Sequence, residues 1–463
     1  MWNSTSLRTT GAAALLLLTA ASAADAATES AELQALREQI RLLDQKIRVL
    51  ERKQELKDEA SAEAAKKQPV ITAGAGGFAL TSPDKAFDLK LRALAQADAR
   101  FYFGGDGIAG NNQFLLRRTR AILSGTVAKN FDFALVPEFA GVDGTTKAST
   151  FSIVDAWIAA KVQPAFNVKF GKFASPVALE PGADRLFVES SFVNTLLPNR
   201  DLGVELYGTL AGGLVEYRAG VYNGVRNNNS AVGGDLNDNK TFAGRLTFTP
   251  FAKSEGWAKG LGLAVGASSG SENGALQNIA TNGQQTLANL GSLSGVGNHT
   301  RVSPAVFLYS GPFSFVSEYA FERQELVRTA APLNRFTASN DAWRVSGGYV
   351  LTGEDSTARG VTPKANFDPA AGTWGAFELV GRVSGIDLDR DLFVAAANGG
   401  GGLSTTTNAT GATAYGLGLN WYLNRNLRFL LNYEYTDFDG GGAANTAVAD
   451  SEQALFSRLQ VSF

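Results

Sequence analysis

Between residues 87 and 463 apolar and polar side chains alternate, run after run, and no other feature of this chain narrows its folds so far. In Lys90-Leu91-Arg92-Ala93-Leu94-Ala95-Gln96-Ala97-Asp98-Ala99-Arg100-Phe101, the Lys, Arg, Gln and Asp gather on one face. Leu, Ala and Phe occupy the other, because successive strand side chains point to opposite sides. A single run of this kind also fits a soluble sheet. Sixteen such runs, the first over 87–103 and the last over 450–463, are an even number, as bacterial transmembrane barrels require. No apolar stretch reaches the roughly 20 residues of a membrane-spanning helix. The mean hydropathy is near zero, as expected where strands set lipid-facing residues against water-facing ones. The fold class predicted is all-β: a sixteen-stranded antiparallel transmembrane β-barrel over residues 87–463.

The connections support this reading. With both ends of the barrel on one side of the membrane, odd connections are expected to be long and even ones tight. The long set includes 175–201, 227–239, 271–298, 391–411 and 439–449. The tight set includes Lys129-Asn130, Ala211-Gly212-Gly213, Ser310-Gly311-Pro312 and Asn424-Arg425-Asn426. Two connections break the pattern: 352–372 is long where a turn is expected, and 329–335 is short where a loop is expected. The last run, Leu455 to Phe463, alternates to its final residue and ends on an aromatic. A terminal Phe on an amphipathic strand resembles the signal read by the outer-membrane assembly machinery.

Ahead of the barrel lie three zones. Residues 1–26 read as a secretory signal peptide: Arg8 supplies positive charge and Leu15-Leu16-Leu17-Leu18 forms a short apolar core. Ala21-Ser22-Ala23 and Ala24-Asp25-Ala26 are small-residue cleavage sites. Residues 28–68 read as a coiled-coil stalk. Leu33, Leu36, Ile40, Leu43, Ile47 and Leu50 step alternately by three and four, which places them at heptad positions a and d. Ile at a with Leu at d favours a parallel dimer in isolation, so a trimeric barrel has to override that preference. A solvated linker helix is the alternative. Pro69 ends the stalk, and the Gly- and Ala-rich stretch within 69–86 reads as a linker.

Composition removes several function classes. The net charge of -2 does not mark a nucleic-acid binder, and the absence of cysteine excludes disulfides and thiolate metal sites. The single histidine, His299, leaves serine chemistry without an obvious base and reads as a solvated loop residue. No catalytic, cofactor or metal-ligating residue is singled out.

Four stretches carry a family resemblance. They are Leu116-Arg117-Arg118-Thr119-Arg120; Val154-Asp155-Ala156-Trp157-Ile158 with Phe170-Gly171-Lys172-Phe173-Ala174-Ser175-Pro176; Leu197-Pro198-Asn199-Arg200-Asp201-Leu202-Gly203-Val204; and Tyr349-Val350-Leu351-Thr352-Gly353-Glu354 with Gly375-Ala376-Phe377-Glu378-Leu379-Val380-Gly381-Arg382. In order and spacing they resemble the phosphate-selective porin O and P family, from about residue 87 to the end. The resemblance implies a homotrimer of sixteen-stranded barrels in the outer-membrane bilayer, passing small anions such as phosphate or polyphosphate. It also implies an in-folded third loop at the constriction and a long connection at 352–372. An N-terminal coiled coil is common in the family.

An anion entering a narrow pore loses hydration that Arg and Lys can replace. The faces opposite the aliphatic residues carry Lys90, Arg92, Arg100, Arg118, Arg120, Lys161, Lys169, Arg218, Arg226, Arg245, Arg301, Arg344, Arg382, Arg428 and Arg458. They carry fewer acids: Asp88, Asp98, Asp155, Glu205, Glu216, Glu318, Glu322, Glu378 and Glu434. The pore-lining candidates are Lys90, Arg92, Arg100, Arg118, Arg120, Lys169, Lys172 at the base of the third loop, Arg218, Arg226, Arg245 and Arg382. The constriction-loop candidates are Arg185 and Arg200. The loop itself holds more acids than bases, which speaks against a strongly cationic eyelet. The alternative for the arginines is an ion-pair lattice with the acids that merely stiffens the barrel. Rival functions are a general or sugar porin, the inward Tyr207, Tyr222 and Tyr422 reading as scattered, and a structural tether acting through the coiled coil.

Overall fold

The computed structural model describes residues 25–103, 110–142, 149–180, 184–228, 230, 238–440 and 451–463. The chain divides into two units, residues 1–68 and 69–463. The first contains one helix, α1 (Asp25–Lys66). All but the last two residues of the predicted signal peptide lie outside the described residues.

The second unit is built on sixteen long strands: β1 (Asp88–Phe103), β2 (Gln113–Val127), β3 (Phe131–Val142), β4 (Ser149–Gln163), β5 (Phe166–Ala174), β6 (Arg200–Leu210), β7 (Val215–Tyr222), β8 (Thr241–Phe248), β9 (Leu261–Ser271), β10 (Leu293–Ser310), β11 (Phe313–Arg328), β12 (Arg335–Val350), β13 (Ala376–Asp387), β14 (Gly411–Tyr422), β15 (Leu427–Asp439) and β16 (Ser451–Ser462). Each is antiparallel to the next. β16 returns to β1, from Gln453 opposite Phe103 to Ser462 opposite Leu94, and so closes the sheet. Closure leaves no open edge in the hydrocarbon, where an unpaired backbone group has no water to bond.

The first residues of β1 extend past the reach of β16. The stretch expected to be a linker covers them instead. Val70–Gly74 and Gly77–Thr81 form a hairpin whose second strand pairs with β1 from Phe78↔Leu91 to Thr81↔Asp88. Phe463 exchanges backbone hydrogen bonds with Ala93, and its ring packs edge-on against Phe78 at 6.3 Å. The barrel's seam is therefore stitched by its last residue and by the hairpin together.

Alternation sorts the two faces. On β11, Glu318, Ala320 and Glu322 are buried while Tyr319 and Phe321 point out. On the outer face Phe114, Phe170 and Phe242 are each more than three-fifths exposed, as expected of lipid-facing side chains. The interior is not uniformly polar. Val177, Phe192, Val193 and Leu196 of the third loop pack with Leu287 and Leu293, with inward Ala320 and Ala342, and with Ile386 and Leu392. Alanine at the inward positions leaves room for this apolar plug. The 351–375 connection, long on the short-turn side, also has a place. It carries a small ladder, Ser356–Thr357 with Gly360–Val361, and Val361 packs on Val350, Ala376 and Tyr422.

Candidate functional site

The third loop leaves β5 at Ala174 and returns at Arg200. Between them it crosses the barrel. The Leu179 backbone N–H donates to Glu318 of β11 at 2.7 Å. Arg185 donates to Glu378 of β13 at 3.1 Å and to the Ser314 hydroxyl at 2.7 Å. The Val188 N–H donates to the Asn432 side-chain oxygen of β15 at 2.8 Å, and Asn420 of β14 donates to the Leu186 carbonyl at 3.0 Å. Glu189 accepts from Arg100 of β1 and from Arg117 of β2, the latter at 2.8 Å. β13 stands eight places from β5 in a ring of sixteen, so the loop spans the full diameter. Its described residues therefore occupy part of the lumen.

Charge pairs hold it there. Asp184 sits between Arg344 at 3.3 Å and Arg382 at 2.9 Å. Arg344 continues to Glu318 at 2.9 Å, and Arg382 to Glu434 at 2.7 Å. Asp98 takes Arg458 at 2.7 Å. These groups are almost fully buried, and burying a charge is costly unless partners restore what water supplied. Burial pushes the Glu189 carboxyl up, but the guanidiniums of Arg117 and Arg100 outweigh it and hold the group well below the usual carboxylate range. Asp184 is likewise held down by Arg382 and Arg344 against the upward push of burial.

The candidates read from the sequence fall into distinct environments. Arg100, Arg382 and Arg185 are buried in the lattice that clamps the loop. Arg120 pairs with Glu138 at 2.6 Å, Arg200 with Asp155 at 3.0 Å, and Lys90 with Asp88 at 3.1 Å. Arg218 and Lys169 share Glu205 at 2.7 and 3.3 Å. Arg92 lies on the inward register of β1 and is exposed. Arg118 donates to the Gln96 side-chain oxygen at 2.9 Å, and Arg245 to the Ala178 carbonyl of the loop at 2.9 Å. Two candidates are placed differently from the reading. Lys172 shares its register with Ala156 and Leu202, the alternate face to Lys169 and Phe173, and its ammonium donates to the Ile153 carbonyl at 2.7 Å. Arg226 lies beyond β7, which ends at Tyr222, so strand alternation does not govern it.

Several functional neighbours escape a period-two reading. Arg117 is one. The β1–β2 register shifts between Gln96 and Ala97, and this bulge lets Arg117 reach into the lumen beside Arg118. His299 is another, and it is not solvated. β10 begins at Leu293, and the imidazole is buried with Nδ1 2.8 Å from Glu272 and Nε2 2.7 Å from Glu322. Glu272 also takes Arg301 at 2.8 Å. Burial raises the Glu272 carboxyl, yet Arg301 and the His299 contact bring it down to about 2.

At the short-turn end, Arg185, Arg359, Arg425 and Arg428 line a cavity of about 310 Å³. The acids in the same lining, Glu180 and Asp184, are already engaged by Arg344 and Arg382. Arg428 donates to the Gln460 side-chain oxygen at 3.0 Å and to the Arg185 carbonyl at 3.3 Å. Among the described residues, no carboxylate lies within ion-pair distance of Arg359, Arg425 or Arg428, and the buried Nε of Arg428 has no acceptor.

Known structures share this architecture. DcaP, an outer membrane channel of Acinetobacter baumannii, is 12% identical with a TM-score of 0.52, covering 82% of this chain and 98% of that one. A loop L8 deletion mutant of OmpT, an outer membrane protein of Vibrio cholerae, is 14% identical with a TM-score of 0.51, covering 82% and 100%. A trimer form of the same protein is 13% identical with a TM-score of 0.50, covering 82% and 100%. At these identities the likeness speaks for the fold alone. No curated protein matches the chain closely in sequence. The family model for phosphate-selective porin O and P matches residues 87–463, every strand of the closed sheet. The chain therefore belongs to the phosphate-selective porin O and P family, and it is an outer-membrane porin, a channel rather than an enzyme.

Proposed function

We propose that this porin is a passive diffusion channel preferring small anions, phosphate or polyphosphate among them, and that it works as a homotrimer. The observation that carries the ion preference is the cavity at the short-turn end. Most inward bases are neutralised by acids at contact distance, so the raw excess of Arg over Glu and Asp says little. Arg359, Arg425 and Arg428 have no acid at ion-pair distance among the described residues, and Arg428 bonds only an amide oxygen and a backbone carbonyl, while the two acids of the lining, Glu180 and Asp184, are held by Arg344 and Arg382. Charge left uncancelled at a pore mouth concentrates counter-ions there, and charge within the pore replaces part of their lost hydration. The trimer form reported for the Vibrio protein of the same fold favours three copies here. In this reading residues 1–26 direct export and 28–68 form a coiled-coil stalk.

The test is the reversal potential of single channels in a potassium chloride gradient. The native protein is expected to favour chloride, and added phosphate to reduce the chloride current. Arg425→Gln with Arg428→Gln is expected to lower the anion preference and weaken the phosphate block, with the heat-modifiable gel band retained. Cation preference in the native protein would overturn this reading.

A further inference from the structure

The wall opposite the cationic cavity has another chemistry. β4 to β7 lie side by side, and their inward registers bring three aromatic rings around one lysine. The Lys169 ammonium stands 5.3 Å from the ring centre of Trp157, 5.0 Å from that of Phe173 and 4.7 Å from that of Tyr207. Its counter-ion Glu205 is fully buried and also holds Arg218 at 2.7 Å and the Tyr222 hydroxyl at 2.8 Å. Both bases of this patch are therefore bonded to one carboxylate. Beside them opens a cavity of about 530 Å³, bordered by Trp157, Tyr207, Asp155, Asn167 and Glu216. Its size lies within the range of about 300–1,000 Å³ typical of small-molecule sites. Neither the Trp157 indole N–H nor the Tyr207 hydroxyl bonds to another described residue. Buried or half-buried Trp and Tyr usually find a partner for these groups.

We propose that this cavity is a saccharide-binding subsite on the inner wall of the channel. The chemistry selects the ligand class. A phosphate would meet Asp155, Glu205 and Glu216, and the bases among them, Arg200, Lys169 and Arg218, are each already bonded to one of these acids. An organic cation would find the centre of the ring cage already filled by Lys169. A pyranose carries no charge, offers an apolar C–H face to the aromatic rings, and has hydroxyls for carboxylate and amide oxygens. The half-exposed indole N–H and phenol hydroxyl can then bond the sugar's hydroxyls. This inference needs the chain to be a channel and does not depend on its ion preference. It also revises the reading of the inward tyrosines as scattered, since Tyr207 lies against Lys169 and Tyr222 bonds that lysine's counter-ion Glu205.

The test uses the full-length protein in planar bilayers, with glucose, maltose and maltotriose as probes. Saturable reduction of the potassium chloride current by at least one of them is expected. Trp157→Ala and Tyr207→Ala should each raise the half-blocking concentration about tenfold, the scale of one lost aromatic contact. Neither should move the reversal potential or the phosphate block. Arg425→Gln with Arg428→Gln should do the reverse, which separates failure here from failure of the anion reading. Should the alanine variants not fold, Trp157→Phe and Tyr207→Phe keep the rings, remove the donors and should weaken the block about threefold. The proposal falls if no sugar gives saturable block. It falls equally if folded variants of both kinds are blocked like the native channel, or if phosphate competes with the sugar.

Discussion

At the scale of single residues, the lumen is governed by which carboxylates meet a guanidinium and which guanidiniums do not meet a carboxylate. Glu189 takes Arg100 and Arg117, and its depressed pKa carries a consequence for pH. A carboxylate whose folded pKa lies below its unfolded value stabilises the folded state above the unfolded pKa, near 4.3 for Glu. That contribution is lost only as pH falls through the lower, folded value. Glu180 is shifted the other way, by burial that the nearby Arg344 only partly offsets. It takes its proton early on acidification, and a raised folded pKa means that protonation favours the folded loop. Both signs point to a third loop that stays clamped in mild acid. The current noise that a loosened third loop would produce is therefore expected not to grow between neutral pH and about pH 4. Glu189→Gln removes the charge that pairs with two arginines and should bring larger current fluctuations at all pH values. A reversible rise in that noise near pH 5 in the native protein, absent from Glu189→Gln, would sink the idea.

At the scale of elements, all sixteen strands were legible in the sequence because a transmembrane strand must alternate and a barrel repeats the signal. The family resemblance implied that the third loop folds inward, but its contacts were not legible. Its residues Val177, Phe192 and Leu196 look like any apolar loop residues until the inward alanines of β11 and β12 receive them. Arg117 was hidden by a bulge, which breaks the period on which the reading rests. The hairpin at 70–81 was hidden because two five-residue strands next to Gly and Ala carry little pattern. Among the candidate residues, the paired and the uncancelled bases could not be told apart, since the partners sit on neighbouring strands or on the third loop and local order does not give that register. The alternation itself makes a prediction about β14. Leu417 points outward near the middle of the strand, while Asn420 is fully buried on the inner face. Leu417→Arg puts a charge in lipid and is expected to cost about 2–4 kcal/mol if the site lies at the midplane. Equilibrium unfolding in lipid vesicles with urea should read this directly. A loss no larger than that of Leu417→Ala would mean that this face does not meet the hydrocarbon.

At the scale of the whole molecule, the remaining question is what the exposed stripe on α1 touches. The helix has 42 residues and is about 63 Å long at 1.5 Å per residue. Leu36, Ile40, Leu43, Ile47 and Leu50 are all at least half exposed within one chain. A helix this long with one apolar seam gains most from burying that seam against copies of itself. The flanking charges favour a parallel, in-register arrangement. With Ile40 and Ile47 at position a, Lys46 and Lys53 fall at g, and Glu51 and Asp58 fall at e of the following heptad. Parallel copies bring each lysine opposite its acid at every interface. Ile at a and Leu at d would by themselves favour two strands, so a trimeric barrel has to supply the third partner. We therefore expect Ile40→Asp with Ile47→Asp to lower the temperature at which full-length oligomers dissociate on semi-native gels, while the barrel itself stays heat-modifiable. Lys46→Glu with Lys53→Glu should have a smaller effect in the same direction, and added salt should shrink it because exposed charges are screened over about 8–10 Å. Oligomers that dissociate at the native temperature in the double-Asp variant would show that the stripe contributes nothing to assembly. The helix would then be left to the tether reading, in which it grips another layer of the envelope.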